Sequence, residues 1–157
     1  RLAAEAGEVP VGAVIVRDGE LIGQAHNQTE TLKDPTAHAE ILAITQAADA
    51  VGDWRLEGCT LYVSKEPCVM CAGAIVLARI PRVAWSVDDP RRGGAVSLFQ
   101  VLQNPALNHR AEIERGLLEE EGRALLVDFF RQRRKGGGGR GPGYGPDDAN
   151  LELRKKP

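Results

Sequence analysis

The chain is short of several things, and each shortage excludes something. It has three cysteines, an odd number, and two of them stand three residues apart at 68 and 71. That argues against a disulfide framework and for a reducing compartment, so a cytoplasmic location is expected. No apolar run comes near the roughly 20 residues that span a bilayer. The longest, AGAIVLA at 72–78, is cut by Arg79, so no membrane partner is expected. No secretory leader is legible. Aromatics make up only 4% of the residues, too few for a visible stacking platform. With a net charge of −2 there is no global attraction to a polyanion.

What is present is ordinary globular material. The 157 residues, 43% hydrophobic and 27% charged, suffice for one domain with a real core. We assign that domain to residues 1–135. The stretch after it, KGGGGRGPGYGP, is dominated by glycine and cannot bury enough surface to fold, so 136–157 is expected to be a disordered tail. Charge is uneven. Acids cluster at 112–121, and Arg131, Arg133, Arg134 and Lys135 follow, a local patch able to meet phosphates or simply a solvated helix end.

Residues 1–6 read as the closing turns of a helix. Apolar runs on either side of Asp18-Gly19 predict a hairpin with strands at 11–17 and 20–26. Asp34 and Pro35 read as the cap and first residue of a helix reaching about 50, with Ala37, Ile41, Ile44 and Ala48 on its apolar face. A strand at 60–66, a helix at 68–80 stopped by Pro81 and a strand at 82–87 follow. A short helix is expected at 97–103. AEIERG at 111–116 is either a fifth strand or the lead-in to a last helix, which ends near 134 and faces inward with Leu118, Gly122, Leu125 and Phe129. Trp54 and Trp85 are expected in the core, and Cys59 is read as a packing residue of the core or the surface, not a ligand. Strands alternating with helices imply an α/β fold with parallel pairs and helices on both faces.

Two short motifs carry chemistry. Cys68 and Cys71 share one face of a helix start, where free N–H groups and the helix dipole favour thiolates. His38 and Glu40 are spaced by two, which brings both to one place only at a helix N-terminus. One imidazole and two thiolates make three ligands, the count of a catalytic zinc site with an open fourth position. Glu40 would then move protons for the water that zinc acidifies. Alone, the Cys-x-x-Cys pair could equally be redox-active or half a zinc knuckle. The two motifs in this order are far more specific.

Together, HAE at 38–40 and PCVMC at 67–71 resemble the signature of the zinc nucleobase deaminases. EVPVGAVIV (8–16), DPTAHAEI (34–41), TLYVSKEPCVMCAGAI (60–75), ARIPRV (78–83), LNHR (107–110) and DFFRQRR (128–134) extend the likeness to the bacterial tRNA adenosine deaminases, over roughly residues 1–135. The resemblance implies a three-layer α/β/α, cytidine-deaminase-like fold with a five-stranded mixed sheet. It also implies one Zn2+ per subunit on His38, Cys68 and Cys71, Glu40 as proton shuttle, and a homodimer. The activity implied is adenosine-to-inosine conversion at the wobble position of a tRNA, an arginine tRNA by family habit. Asn27 would contact the target base, Val9, Pro10 and Val11 would line the pocket floor, and Asp89 would touch a neighbouring ribose. Arg91, Arg92, Arg131, Arg133 and Arg134 are the candidates for RNA phosphates. His26 and His109 read as structural. The chain departs from the family's TLEPC form at Lys65, whose charge is expected to point to solvent or to a phosphate. The rival readings are a deaminase of a free base or nucleoside, and a non-catalytic zinc- or RNA-binding partner subunit.

Overall fold

The computed structural model describes residues 1–135, so the glycine-rich stretch at 136–157 lies outside the described residues. A short helix α1 (Leu2–Glu5) leads into a hairpin of β1 (Gly12–Arg17) and β2 (Glu20–His26). The hairpin turns at Asp18 and Gly19, both left-handed at φ 52° and 83°, the geometry that Asp-Gly favours. A single-turn helix α2 (Thr29–Leu32) precedes α3 (Ala39–Val51), and β3 (Cys59–Lys65), α4 (Val69–Leu77), β4 (Arg82–Val87), β5 (Glu112–Arg115) and α5 (Glu119–Lys135) follow.

The five strands form one mixed sheet in the order β2-β1-β3-β4-β5. β1 runs antiparallel to β2 and β3, while β3, β4 and β5 are parallel. The ambiguous stretch at 111–116 is therefore a strand, pairing Val83 with Ile113. Ile15, Leu61, Val83 and Trp85 are fully buried on one face against α3 and α4. A Cβ on Gly122 of α5 would come within 2.9 Å of Ser86 Cβ, and Ser86 is on the opposite face from its neighbour Trp85. The sheet is thus sandwiched between helical layers, as the sequence implies. A second small core of Val9, Val87, Leu126 and Phe129 joins α5 to the start of the chain.

Several boundaries differ from the sequence reading, each for a physical reason. Asp34 does not cap α3. Its carboxylate accepts the amide and hydroxyl of Thr36, both at 2.7 Å, and makes a local turn instead. The helix begins five residues later. Its most deeply buried positions are Ala39, Glu40, Ala43 and Ala47, with Ile44 and Ala48 packed at the edge of the core, because α3 lies almost on the β2 backbone. A Cβ on Gly23 would stand 2.5 Å from the Ala43 carbonyl oxygen and 3.2 Å from Ala47 Cβ. Helix α4 stops at Leu77, before Pro81, as Arg79 turns left-handed at φ 60°. Residues 97–103 form turns, not a helix, since the amides of Leu98 and Val101 bond to Gly93 and Gly94. On α5 the buried positions are Gly122, Leu126 and Phe129, while Leu118 is 65% exposed and Leu125 also faces outward. Trp54 is not core either. It is 55% exposed, with the Arg55 guanidinium stacked over it. Trp85 is buried as expected, and Cys59 is buried too.

Candidate active site

Two helices open at the same place. His38 is the N-cap of α3 and Cys68 the N-cap of α4, both with extended backbone (ψ 151° and 172°). A cap residue stands half outside its helix, so its side chain turns across the helix end. Glu40 and Cys71 lie two and three residues further on, on the buried side. This is why a spacing of two works here.

His38 Nδ1 lies 3.5 Å from Cys68 Sγ and 3.4 Å from Cys71 Sγ. All three candidate ligand atoms fall within 4.8 Å of one another. A tetrahedron built from ordinary zinc–nitrogen and zinc–sulfur lengths has an N···S edge of about 3.6 Å. The donor set therefore fits zinc in type and in spacing. The three groups are coupled through shared protons. A hydrogen bond from Cys71, aided by His38, holds the Cys68 thiol down at about 4. The same bond, with burial and the nearby Glu40, pushes Cys71 up. His38 is raised, mainly by its bond to Cys68. Three groups compete for shared protons where lone pairs converge, which is what a soft cation exploits. Glu40 is 3% exposed, and burial lifts its carboxyl above the usual range.

A pocket opens over these groups. Its wall contains Val9, Val11, Asn27, Lys65, Asp89 and Arg92 beside His38, Glu40, Glu66 and Cys68. Val9, Val11 and Asn27 line this pocket. Pro10 is buried but does not line the pocket. Lys65 corrects the sequence reading. Its ammonium reaches neither solvent nor an open phosphate site but pairs with Asp89 at 2.7 Å, both side chains being nearly buried (12% and 9% exposed). The other Asp89 oxygen accepts the amides of Arg91 and Arg92 at 3.1 and 3.2 Å. Arg131, Arg133 and Arg134 do not reach the pocket. They lie on the exposed end of α5, where Arg131 is 3.8 Å from Asp128 and Arg133 donates to the Gly7 carbonyl at 2.9 Å. His26 and His109 bond to the backbone oxygens of Asn27 and Ile80.

Sequence reasoning passed over two carboxylates. Glu66, 3% exposed, collects the amides of Asp89, Val96 and Ser97 at 2.8, 2.8 and 2.9 Å, together with the Ser97 hydroxyl. It fastens the 89–97 loop against α4, so closely that a Cβ on Gly93 would overlap it. Glu8, wholly buried, bonds Asn27, Thr29 and Thr31. The available signal was an acid embedded in an apolar stretch beside a motif, as in EVPVG and KEPC.

Known proteins resemble this chain closely. The MafB19-like deaminase family model matches residues 1–134. A tRNA-specific adenosine deaminase of Bacillus subtilis (strain 168) is 52% identical over 133 residues, which is 85% of this chain and 83% of that protein. The Aquifex aeolicus (strain VF5) protein of the same name is 54% identical over 132 residues, covering 84% and 87%. A solved structure from studies of A-to-I editing by tRNA:A34 deaminases at the wobble position of transfer RNA superposes with a TM-score of 0.77. It is 44% identical and covers 80% of this chain and 91% of its own. With half of all positions identical across most of both chains, the chain belongs to the tRNA-specific adenosine deaminase family.

Proposed function

We propose that this protein is a zinc-dependent hydrolase that converts adenosine to inosine at the wobble position of a tRNA, an arginine tRNA being the expected substrate. The observation that carries the reading is the convergence of His38 Nδ1 with two cysteine sulfurs, at 3.5 and 3.4 Å, beside a carboxyl buried in the same pocket wall. His38, Cys68 and Cys71 would hold one zinc per subunit. When bound, zinc supplies Lewis acidity that makes water a nucleophile near neutral pH.

The remaining chemistry is proton movement by Glu40. Its carboxylate takes a proton from the water attacking C6 of adenine. The protonated carboxyl then delivers that proton to the ring nitrogen. The same carboxylate then takes the proton of the new C6 hydroxyl and passes it to the exocyclic amine, and the C6–N bond breaks to release ammonia as the C6 carbonyl forms. Glu40 does this best if it is not itself a ligand, and its side chain is outside the His-Cys-Cys cluster.

An adenosine in an anticodon loop is already single-stranded, so little energy is needed to turn its base into the pocket. Arg92 stands in the pocket wall, where its positive charge would meet the RNA backbone nearest the target. Arg131, Arg133 and Arg134 would meet the backbone farther out. The chain would act as a homodimer. Val69, Leu98 and Phe99 are each more than half exposed, and such exposed apolar side chains are the candidates for the contact between copies.

The test is Glu40→Ala. The variant should retain one zinc per chain by elemental analysis and lose at least about 10²-fold in inosine formation from a tRNA pool. A zinc-loaded, active variant overturns the assignment. Ammonia release from free cytosine, guanine or cytidine, with none from tRNA, would move the activity to a free base or nucleoside.

A further inference from the structure

Glu8 is buried beneath the pocket wall, 0% exposed, and the proton chemistry above does not use it. Both of its oxygens are fully engaged. Oε1 accepts the Thr31 amide at 2.7 Å and the Thr31 hydroxyl at 2.9 Å. Oε2 accepts the Asn27 side-chain amide at 3.0 Å and the Thr29 hydroxyl at 3.3 Å. A carboxylate only accepts, so Asn27 must turn its nitrogen towards Glu8 and not its oxygen. The second hydrogen of that nitrogen goes to Thr29 Oγ1, also at 3.0 Å. Thr29 can accept it because its own hydrogen is committed to Glu8. Both donors of Asn27 are therefore spent within the protein. Its oxygen, Oδ1, is the polar side-chain atom left for the pocket that Asn27 lines. The charge on Glu8 is secure. Burial opposes it, but the Thr31 amide and hydroxyl and the Thr29 hydroxyl outweigh burial and hold the carboxyl below its ordinary range.

We propose that Glu8 is a positioning residue that fixes Asn27 as a hydrogen-bond acceptor towards the pocket, so that this wall selects for the 2′-hydroxyl of the target ribose. The proposal rests on the deaminase reading above and adds a substrate feature to it. Within an RNA strand, the 5′ and 3′ oxygens of the target nucleotide are esterified and donate nothing. Its exocyclic amine is the group lost beside Glu40. The donor that remains is the 2′-hydroxyl. An amide free to rotate would accept from or donate to whatever entered. Pinned by a buried charge, it distinguishes ribose from deoxyribose, a role that replaces the base contact implied for Asn27 by the family resemblance.

The experiment uses the zinc-loaded protein and stem-loop RNAs whose target adenosine carries 2′-hydroxyl, 2′-fluoro or 2′-hydrogen. Fluorine fills the position but cannot donate. For the wild type, kcat/KM should fall on the order of tenfold from hydroxyl to fluoro or hydrogen, the usual worth of one hydrogen bond. In Glu8→Gln, the new Oε1 must stay on the fixed Thr31 amide, which leaves Nε2 facing Asn27. Asn27 then inverts and presents its nitrogen to the pocket. The hydroxyl-to-fluoro ratio should collapse towards one. A Glu8 that merely braced the fold would lower all three substrates by one common factor and keep the wild-type ratio, which overturns the proposal. Equal wild-type rates on hydroxyl and fluoro substrates also overturn it, whether or not the variant folds. Failure to form inosine from any of the three RNAs would instead sink the underlying deaminase reading.

Discussion

Lys65→Met removes one half of the pair that Lys65 Nζ makes with Asp89 Oδ2 at 2.7 Å. The pair is nearly buried, so solvent screens it little, and deleting one partner leaves a charge stranded. Such deletions cost about 3–5 kcal/mol. Asp89 keeps the amides of Arg91 and Arg92 on its other oxygen, which places the expected loss at the lower end, about 3 kcal/mol. With urea m-values of about 1–3 kcal/mol/M, the unfolding midpoint should drop by roughly 1–3 M. Asp89→Asn should cost at least as much, because it strands the lysine. Combining the two removes both charges, and the double variant should be more stable than the sum of the single losses by about 2 kcal/mol. The assay is equilibrium urea unfolding of all four proteins at one salt concentration. If Lys65→Met unfolds within about 0.5 kcal/mol of the wild type, as an ordinary surface change would, the pair is not buried in any energetic sense. Strict additivity of the two changes would likewise refute the reasoning.

Neutralising Arg133 and Arg134 together should weaken tRNA binding and reduce the slope of log K against log salt by about 2, one for each phosphate that no longer meets a cation. An unchanged slope would leave them as a solvated helix end. The fold favours the ionised form of Glu8, lowering its pKa from an ordinary 4.5. Its contribution to stability is therefore present above about pH 4.5 and lost as pH falls through the folded-state value. The stability gap between wild type and Glu8→Gln should narrow between pH 7 and pH 3 in chemical denaturation, and a constant gap would count against an ionised Glu8. Sedimentation equilibrium should find a dimer that Val69→Ser combined with Phe99→Ser dissociates; a monomeric wild type would refute the pairing.

The parts legible in the sequence were those whose cause is local. Asp18-Gly19 forms its turn because both residues accept left-handed backbone. His38, Glu40, Cys68 and Cys71 were readable because helix starts determine where such side chains go, and the parallel pairing of β3 with β4 followed from alternation. Local rules failed where two of them compete. Asp34 suits a helix cap and an Asx turn equally, and Thr36 two residues on favours the turn. The inward face of α3 consists of alanines because Gly23, on another element, lets the helix come close, and no window along the helix contains that fact.

Charge was least legible of all, for a reason that also bears on the chemistry. Lys65 read as a charge facing solvent or a phosphate because its partner, Asp89, is on a different strand end and meets it only once β3 and β4 align in parallel. Glu8 and Glu66 each find donors more than 20 residues away. In a linear reading Glu8 stands among apolar neighbours, and Lys65 and Glu66 look like partners of each other. In the fold, each fixes a piece of pocket wall: Glu8 fixes the amide of Asn27, Glu66 the loop that carries Arg92, and Lys65 the carboxylate that starts that loop. Ligands for a metal converge by helix geometry alone, but polar walls that hold a substrate in one orientation need buried charges with every lone pair matched. Changes to these three residues should therefore alter how substrate is held before they disturb the His38, Cys68 and Cys71 cluster.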